Sequence, residues 1–163
     1  MQIMRFFRFT LALSSLLAGL SSSIPLAAQT ADNFMGTWKL NTAKSKWTPA
    51  PGPKSLTVVF AKAGAGFKVT ATGVAGDGTP INTSYTATYD GKDAVVTGAA
   101  DYDALTVKML DANTRHTVRK KAGKEVQVVH SVLAKDGKSF TSTTTGVNAK
   151  GEKVESTALF EKQ

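Results

Sequence analysis

From Phe34 onward this chain leaves no room for a long helix, because turn residues interrupt it again and again. Ala63-Gly64-Ala65-Gly66, Gly76-Asp77-Gly78, Asp90-Gly91-Lys92, Asp111-Ala112-Asn113, Ala122-Gly123, Asp136-Gly137 and Lys150-Gly151 punctuate it in turn. Gly, Asn and Asp supply the positive φ angles that tight hairpins need. Between them lie short β-like runs at 35–41, 55–62, 66–74, 82–89, 93–98, 104–111, 113–121, 124–135, 138–147 and 152–161. Several alternate with period two: Phe67, Val69 and Ala71 against Lys68, Thr70 and Thr72, or Leu105, Val107 and Met109 against Thr106 and Lys108. Such runs have one dry and one wet face, and runs this close in sequence pair with their neighbours. The spacing predicts an all-β, up-and-down antiparallel barrel of about 8–10 strands, since closure removes exposed edges. A two-sheet sandwich is the alternative.

The chain also repeats itself at an offset of 73. Val59-Phe60-Ala61-Lys62-Ala63-Gly64 aligns with Val132-Leu133-Ala134-Lys135-Asp136-Gly137, Phe67 with Phe140, Thr70 with Thr143, and Thr72-Gly73-Val74 with Thr145-Gly146-Val147. From 59 to 78 half the positions are identical to their partners. Two copies of a three-strand unit within one barrel account for this, with Phe67 and Phe140 as equivalent core plugs; chance likeness of Gly/Thr-rich hairpins is the competing account.

Met1 to Ala28 reads as a secretory signal peptide. Arg5 and Arg8 form its basic start, Phe9 to Leu20 its apolar segment, and Leu26-Ala27-Ala28 a cleavage site before Gln29. The apolar run is short for a permanent membrane anchor. The expected organisation is therefore a leader over 1–28 and a single barrel domain over 29–163, with the product periplasmic or secreted. The absence of cysteine excludes disulfides, thiolate metal sites and a cysteine nucleophile. The formal charge is +8, and +6 for residues 29–163. The lysines are scattered over turns and strand ends, as at Lys92, Lys138, Lys150 and Lys153, which suits a solvated surface. With no aromatic-studded basic motif, no nucleic-acid partner is expected.

The string Gly36-Thr37-Trp38-Lys39-Leu40-Asn41, followed by Ala43-Lys44-Ser45-Lys46, and the closing Phe160-Glu161-Lys162 resemble a group of short, exported bacterial lipocalin-like proteins. Gly-x-Trp alone resembles the start of lipocalins, fatty-acid-binding proteins and avidins. The resemblance implies a calycin-type barrel holding a small apolar molecule. Two departures stand out. Fatty-acid-binding proteins insert two helices after the first strand, where Pro49-Ala50-Pro51-Gly52-Pro53 forbids helix here. Typical lipocalins place a late arginine on the Trp, but this chain has no Arg beyond Arg119.

The candidate ligand-binding residues are Trp38, Phe67, Tyr85, Tyr89, Met109, His130 and Phe140. Trp38 is expected to seal one barrel end, with ligand stacking as the alternative. Trp47 either covers the mouth or anchors the Pro-rich loop. A two-residue turn at Ala112-Asn113 puts His116 and Val118 in the lumen with Leu105, Val107 and Met109; the alternative register puts Arg115 and Arg119 inside, where they could clamp a carboxylate. His116, His130, Tyr85 and Tyr89 are weak candidates for acid/base catalysis. A lumenal histidine could bind haem or metal, but two histidines without a nearby fixed carboxylate make a weak metal case, and no metal or cofactor is expected. Asp101 and Asp103, like the other turn aspartates, are explained by turn chemistry. There is no Gly-x-Ser-x-Gly elbow, and Gly76-Asp77-Gly78 precedes no helix that would make it a phosphate loop.

Three functions follow in order of support. The first is a carrier or sensor binding a small apolar or amphipathic molecule in the lumen. The second is an envelope structural or interaction module with a filled core. The third is a barrel enzyme, an isomerase or lyase on a hydrophobic substrate. The oligomeric state is left open by the sequence.

Overall fold

The computed structural model describes residues 32–163. The expected signal peptide, Met1–Ala28, lies outside the described residues. Ten strands follow one another: β1 Gly36–Thr48, β2 Ser55–Ala63, β3 Gly66–Val74, β4 Pro80–Ala87, β5 Ala94–Thr97, β6 Ala104–Asp111, β7 Thr114–Lys121, β8 Lys124–Leu133, β9 Ser139–Val147 and β10 Lys153–Lys162. Each pairs antiparallel with its sequence neighbours, and β1 also pairs with β10, so the meander closes into one ring. The stacked sandwich is not what forms. The described residues contain no helix.

The strands fall where the turn residues allow. Only β1 runs well past its expected end. Its pairing with β10 breaks between Asn41 and Lys46 and then resumes. Within the break Ser45 Oγ donates to the Asn41 carbonyl at 2.7 Å and accepts the Leu159 N–H at 3.0 Å. Asn41 Nδ2 donates to Glu161 Oε1 at 3.0 Å. Side chains thus replace the missing ladder bonds, and β1 survives an irregularity that would otherwise end it. The Asn41–Ser45 part of the lipocalin-like string is accounted for by this structural work.

One end of the ring is plugged by aromatic rings. Phe34, Trp38 and Phe67 have no exposure at all. Phe140 stacks on Phe160 at 4.7 Å between ring centres and meets the edge of Trp38 at 4.9 Å. The Trp38 Nε1–H donates to the Phe34 carbonyl at 2.7 Å, so the largest buried side chain carries no unpaired donor. Lys162 Nζ lies 5.0 Å from the Trp38 ring, a cation over an aromatic face. The wall is thinnest at β5, which is held by two residue pairs on each side, Ser84↔Thr97 and Tyr85↔Val96 to β4, Ala94↔Leu105 and Val95↔Ala104 to β6.

Candidate functional site

Two bulges decide what faces the lumen. The Ala112-Asn113 turn has two residues, as expected, but the register shifts between Met109 and Asp111: Asp111 faces Thr114 while Met109 faces Arg115, leaving Leu110 unpaired. A one-residue slip flips every side chain beyond it. Arg115, Thr117 and Arg119 therefore enter the lumen beside Met109, Val107 and Leu105, and His116 and Val118 point outward. A second shift on β8, between the Lys120↔Glu125 and Arg119↔Gln127 pairs, brings His130 directly across from His116, with ring centres 4.6 Å apart. Both histidines lie on the outer surface. This corrects the expectation of a lumenal His116 and of His130 as a ligand contact. Tyr85 and Tyr89 lie on the other side of the barrel wall, so the four acid/base candidates do not converge.

The lumen is hollow. A cavity of about 560 Å³ extends from the aromatic plug to the opposite end of the ring, where Trp47, Pro49, Pro53, Tyr102, Asn148 and Val154 surround it. Trp47 lies against Gly52, where any Cβ would collide with its indole, so it both lines the mouth and pins the Pro-rich loop. Phe67, Tyr85 and Phe140 line the cavity as expected. Trp38, Tyr89 and Met109 are not among its lining residues. Trp38 is sealed into the plug, and Tyr89 and Met109 pack against the core.

The cavity floor holds a buried cation. Arg115, 3% exposed, has its guanidinium over the rings of Phe34, Phe60 and Phe67 at 4.2, 4.6 and 4.7 Å. Its Nη2 donates to Asp32 Oδ2 and to the Tyr89 hydroxyl, and the Tyr89 hydroxyl donates to Asp32 Oδ2. Asp32 neutralises the charge locally. Burial, together with the Asp32 carboxylate and against the opposing pull of Arg115, holds the Tyr89 pKa well above its ordinary value. This cluster was missed in the sequence, because Asp32 stands before the first strand and nothing in its spacing ties it to Arg115.

Higher in the lumen, Arg119 Nη1 donates to Gln127 Oε1 at 2.9 Å, and its guanidinium lies 4.5 Å from the Tyr102 ring. Gln127 is itself buried and donates to the Val147 carbonyl at 3.1 Å. Among the described residues no carboxylate forms an ion pair with Arg119, and its buried Nε–H has no acceptor. Asp101 and Asp103 do not act on it: Asp101 accepts the Ala149 N–H at 2.9 Å, and Asp103 accepts the Ala122 N–H at 3.1 Å. Desolvation pushes Tyr85, which faces the lumen, up to about 12.

No family model and no curated protein sequence matches this chain. Among solved structures it is similar to the zebrafish ileal bile acid-binding protein complexed with cholic acid, at 13% identity over 80% of this chain and 99% of that one, with a TM-score of 0.49. It is also similar to a redesigned β-barrel, mFAP1, bound to DFHBI, at 15% identity over 80% of this chain and 95% of that one, with a TM-score of 0.42.

Proposed function

We propose that this protein is an exported, lipocalin-like carrier that holds a small amphipathic anion in its barrel lumen. The observation that carries the reading is Arg119, a guanidinium lining a 560 Å³ cavity with no carboxylate paired to it among the described residues. Its surroundings are those of a ligand pocket, mostly apolar with a few placed polar groups. A ligand carboxylate or sulfonate accepting from Arg119 would satisfy a donor that the barrel leaves open. Arg115 needs no such partner, because Asp32 supplies one. The hollow lumen favours this reading over a module with a filled core, and the outward histidines count against an enzyme. Export rests on the leader-like residues Met1–Ala28 alone.

The test compares laurate with dodecanol, which have the same chain with and without the charge, by displacement of 1-anilinonaphthalene-8-sulfonate. Laurate is expected to bind the wild-type protein and to lose about tenfold or more in Arg119→Met, while dodecanol changes little. Ala71→Trp, which projects an indole into the cavity, is expected to abolish both. Binding that ignores both substitutions would place the ligand elsewhere and overturn the reading.

A further inference from the structure

The repeat seen in the sequence is present in the structure, and its two copies have diverged where they face the cavity. β3 and β9 correspond end to end at the offset of 73, and β4 corresponds to the first residues of β10. The turns after β3 and β9 close alike: Ala75 N–H to the Thr79 carbonyl at 2.8 Å and Gly78 N–H to the Ala75 carbonyl at 3.0 Å, against Asn148 N–H to the Glu152 carbonyl at 3.0 Å and Gly151 N–H to the Asn148 carbonyl at 2.9 Å. β3 pairs with β4, and β9 with β10, in the same register. Equivalent positions can therefore be compared one by one.

At two equivalent cavity-lining positions an apolar side chain in the first copy is a hydroxyl in the second: Val69 against Ser142 and Ala71 against Thr144. The adjoining strands β2 and β8 pair in registers that differ by two residues, and the cavity-lining neighbour there is Val58, opposite Ala71, in the first copy and Ser131, opposite Ser142, in the second. In the ring of ten, β3 and β9 are four strands apart by way of β2, β1 and β10 and six apart the other way, so the two sets face each other across the lumen. Ser131 and Ser142 are cross-strand partners whose hydroxyls hydrogen-bond at 2.6 Å, and Thr144 is buried in the same wall. Arg119 and Gln127, on β7 and β8, extend this polar side toward the mouth. A wall meant only to enclose an alkyl chain gains nothing from serine and threonine, whose hydroxyls cost free energy to bury unless a partner meets them.

Resting on the carrier reading above, we infer that the ligand is polar along one flank as well as at its charged end: an amphipathic anion bearing hydroxyl or carbonyl groups on the side that faces β8–β10 and hydrocarbon on the side that faces β2–β4. Such a ligand exchanges hydrogen bonds with Ser131, Ser142 and Thr144 while its other face packs on Val58, Val69 and Ala71.

The experiment compares 9,10-dihydroxystearate with stearate, which share a chain and a carboxylate and differ in two mid-chain hydroxyls. The readout is the ratio of their dissociation constants in wild-type protein and in S131A/S142A/T144V. Loss of the hydroxyl wall is expected to shift that ratio by about tenfold toward stearate. Val69→Ser, which adds a hydroxyl to the opposite wall, is expected to weaken stearate relative to the diol, and it supplies a second reading if the triple variant folds poorly. A ratio unchanged in the variants, with both acids still bound and still dependent on Arg119, overturns this inference and leaves the carrier reading standing. Binding of neither acid to wild-type protein overturns both.

Discussion

Arg115 and Arg119 sit four residues apart on one face of one strand, yet only one of them has a carboxylate partner among the described residues. The charge of Arg115 is met within the protein by Asp32, the Tyr89 hydroxyl and three aromatic faces, although its buried Nε–H, like that of Arg119, has no acceptor. Removing one partner of a buried ion pair strands the other. Asp32→Ala is expected to lower stability by about 3 kcal/mol in urea unfolding, and Asp32→Ala with Arg115→Leu to recover much of that loss. The tyrosines give a pH test. The folded pKa of Tyr85 lies at about 12, above the ordinary value, because burial disfavours the phenolate. The folded state therefore holds this proton more tightly than the unfolded chain does. That contribution is complete below about pH 10 and is lost as the pH rises from there toward the folded value. Ultraviolet titration of tyrosinate is expected to show Tyr85 and Tyr89 resisting ionisation at about pH 11, with unfolding and ionisation coinciding at higher pH. A Tyr85→Phe variant is expected to lose less stability over that interval. Phe67 and Tyr85 were legible as lining residues from period-two alternation, and Phe140 from its place opposite Phe67 in the repeat. The arginines were legible only as an alternative, since a single unpaired residue, Leu110, decides the face and carries no distinctive signal of its own.

At the scale of the strand, β1 shows how a motif can be read before its work is known. The string from Gly36 to Lys46 stood out by resemblance, and Ser45 proves to bridge a break in the ladder to β10. Ser45→Ala is expected to destabilise the barrel by about 1–2 kcal/mol and to speed hydrogen exchange at the Leu159 amide, which loses its acceptor. Exchange at the Phe160-centred pairing with Leu40 is expected to change less. The end of β1 was misjudged because strand patterning assumes an unbroken ladder, and here side chains carry the strand across the gap. By contrast, the turns were legible almost residue by residue. Ala122 at φ 48° and Gly123 at φ 77° form a two-residue turn at the Ala-Gly pair, whose length the sequence left open. Gly98, with φ 77° and the Asn82 carbonyl where a Cβ would sit, ties the end of β5 to β4.

At the scale of the whole molecule, the choice between barrel and sandwich was open in the sequence because both bury the same alternating faces. What decides it is the β1–β10 seam, a pairing between opposite ends of the meander that no local pattern encodes. Trp38 sits on that seam opposite Lys162 and against Phe140. Trp38→Ala removes the plug from beneath both, and is expected to cost about 3–5 kcal/mol, seen as a lowered thermal midpoint with a single transition.

That seam also sets a timetable. Trp38 pairs with Lys162, so almost all of the described chain is one loop that a single ribbon of hydrogen bonds ties shut. No hairpin along the way can substitute for it, and the entropy of bringing such distant residues together is met only at the finish. A chain in which β1 to β9 have formed but the ten-residue β10 has not yet docked still carries two raw edges, ready to join a neighbour's. The hollow interior is thus the final thing this protein makes.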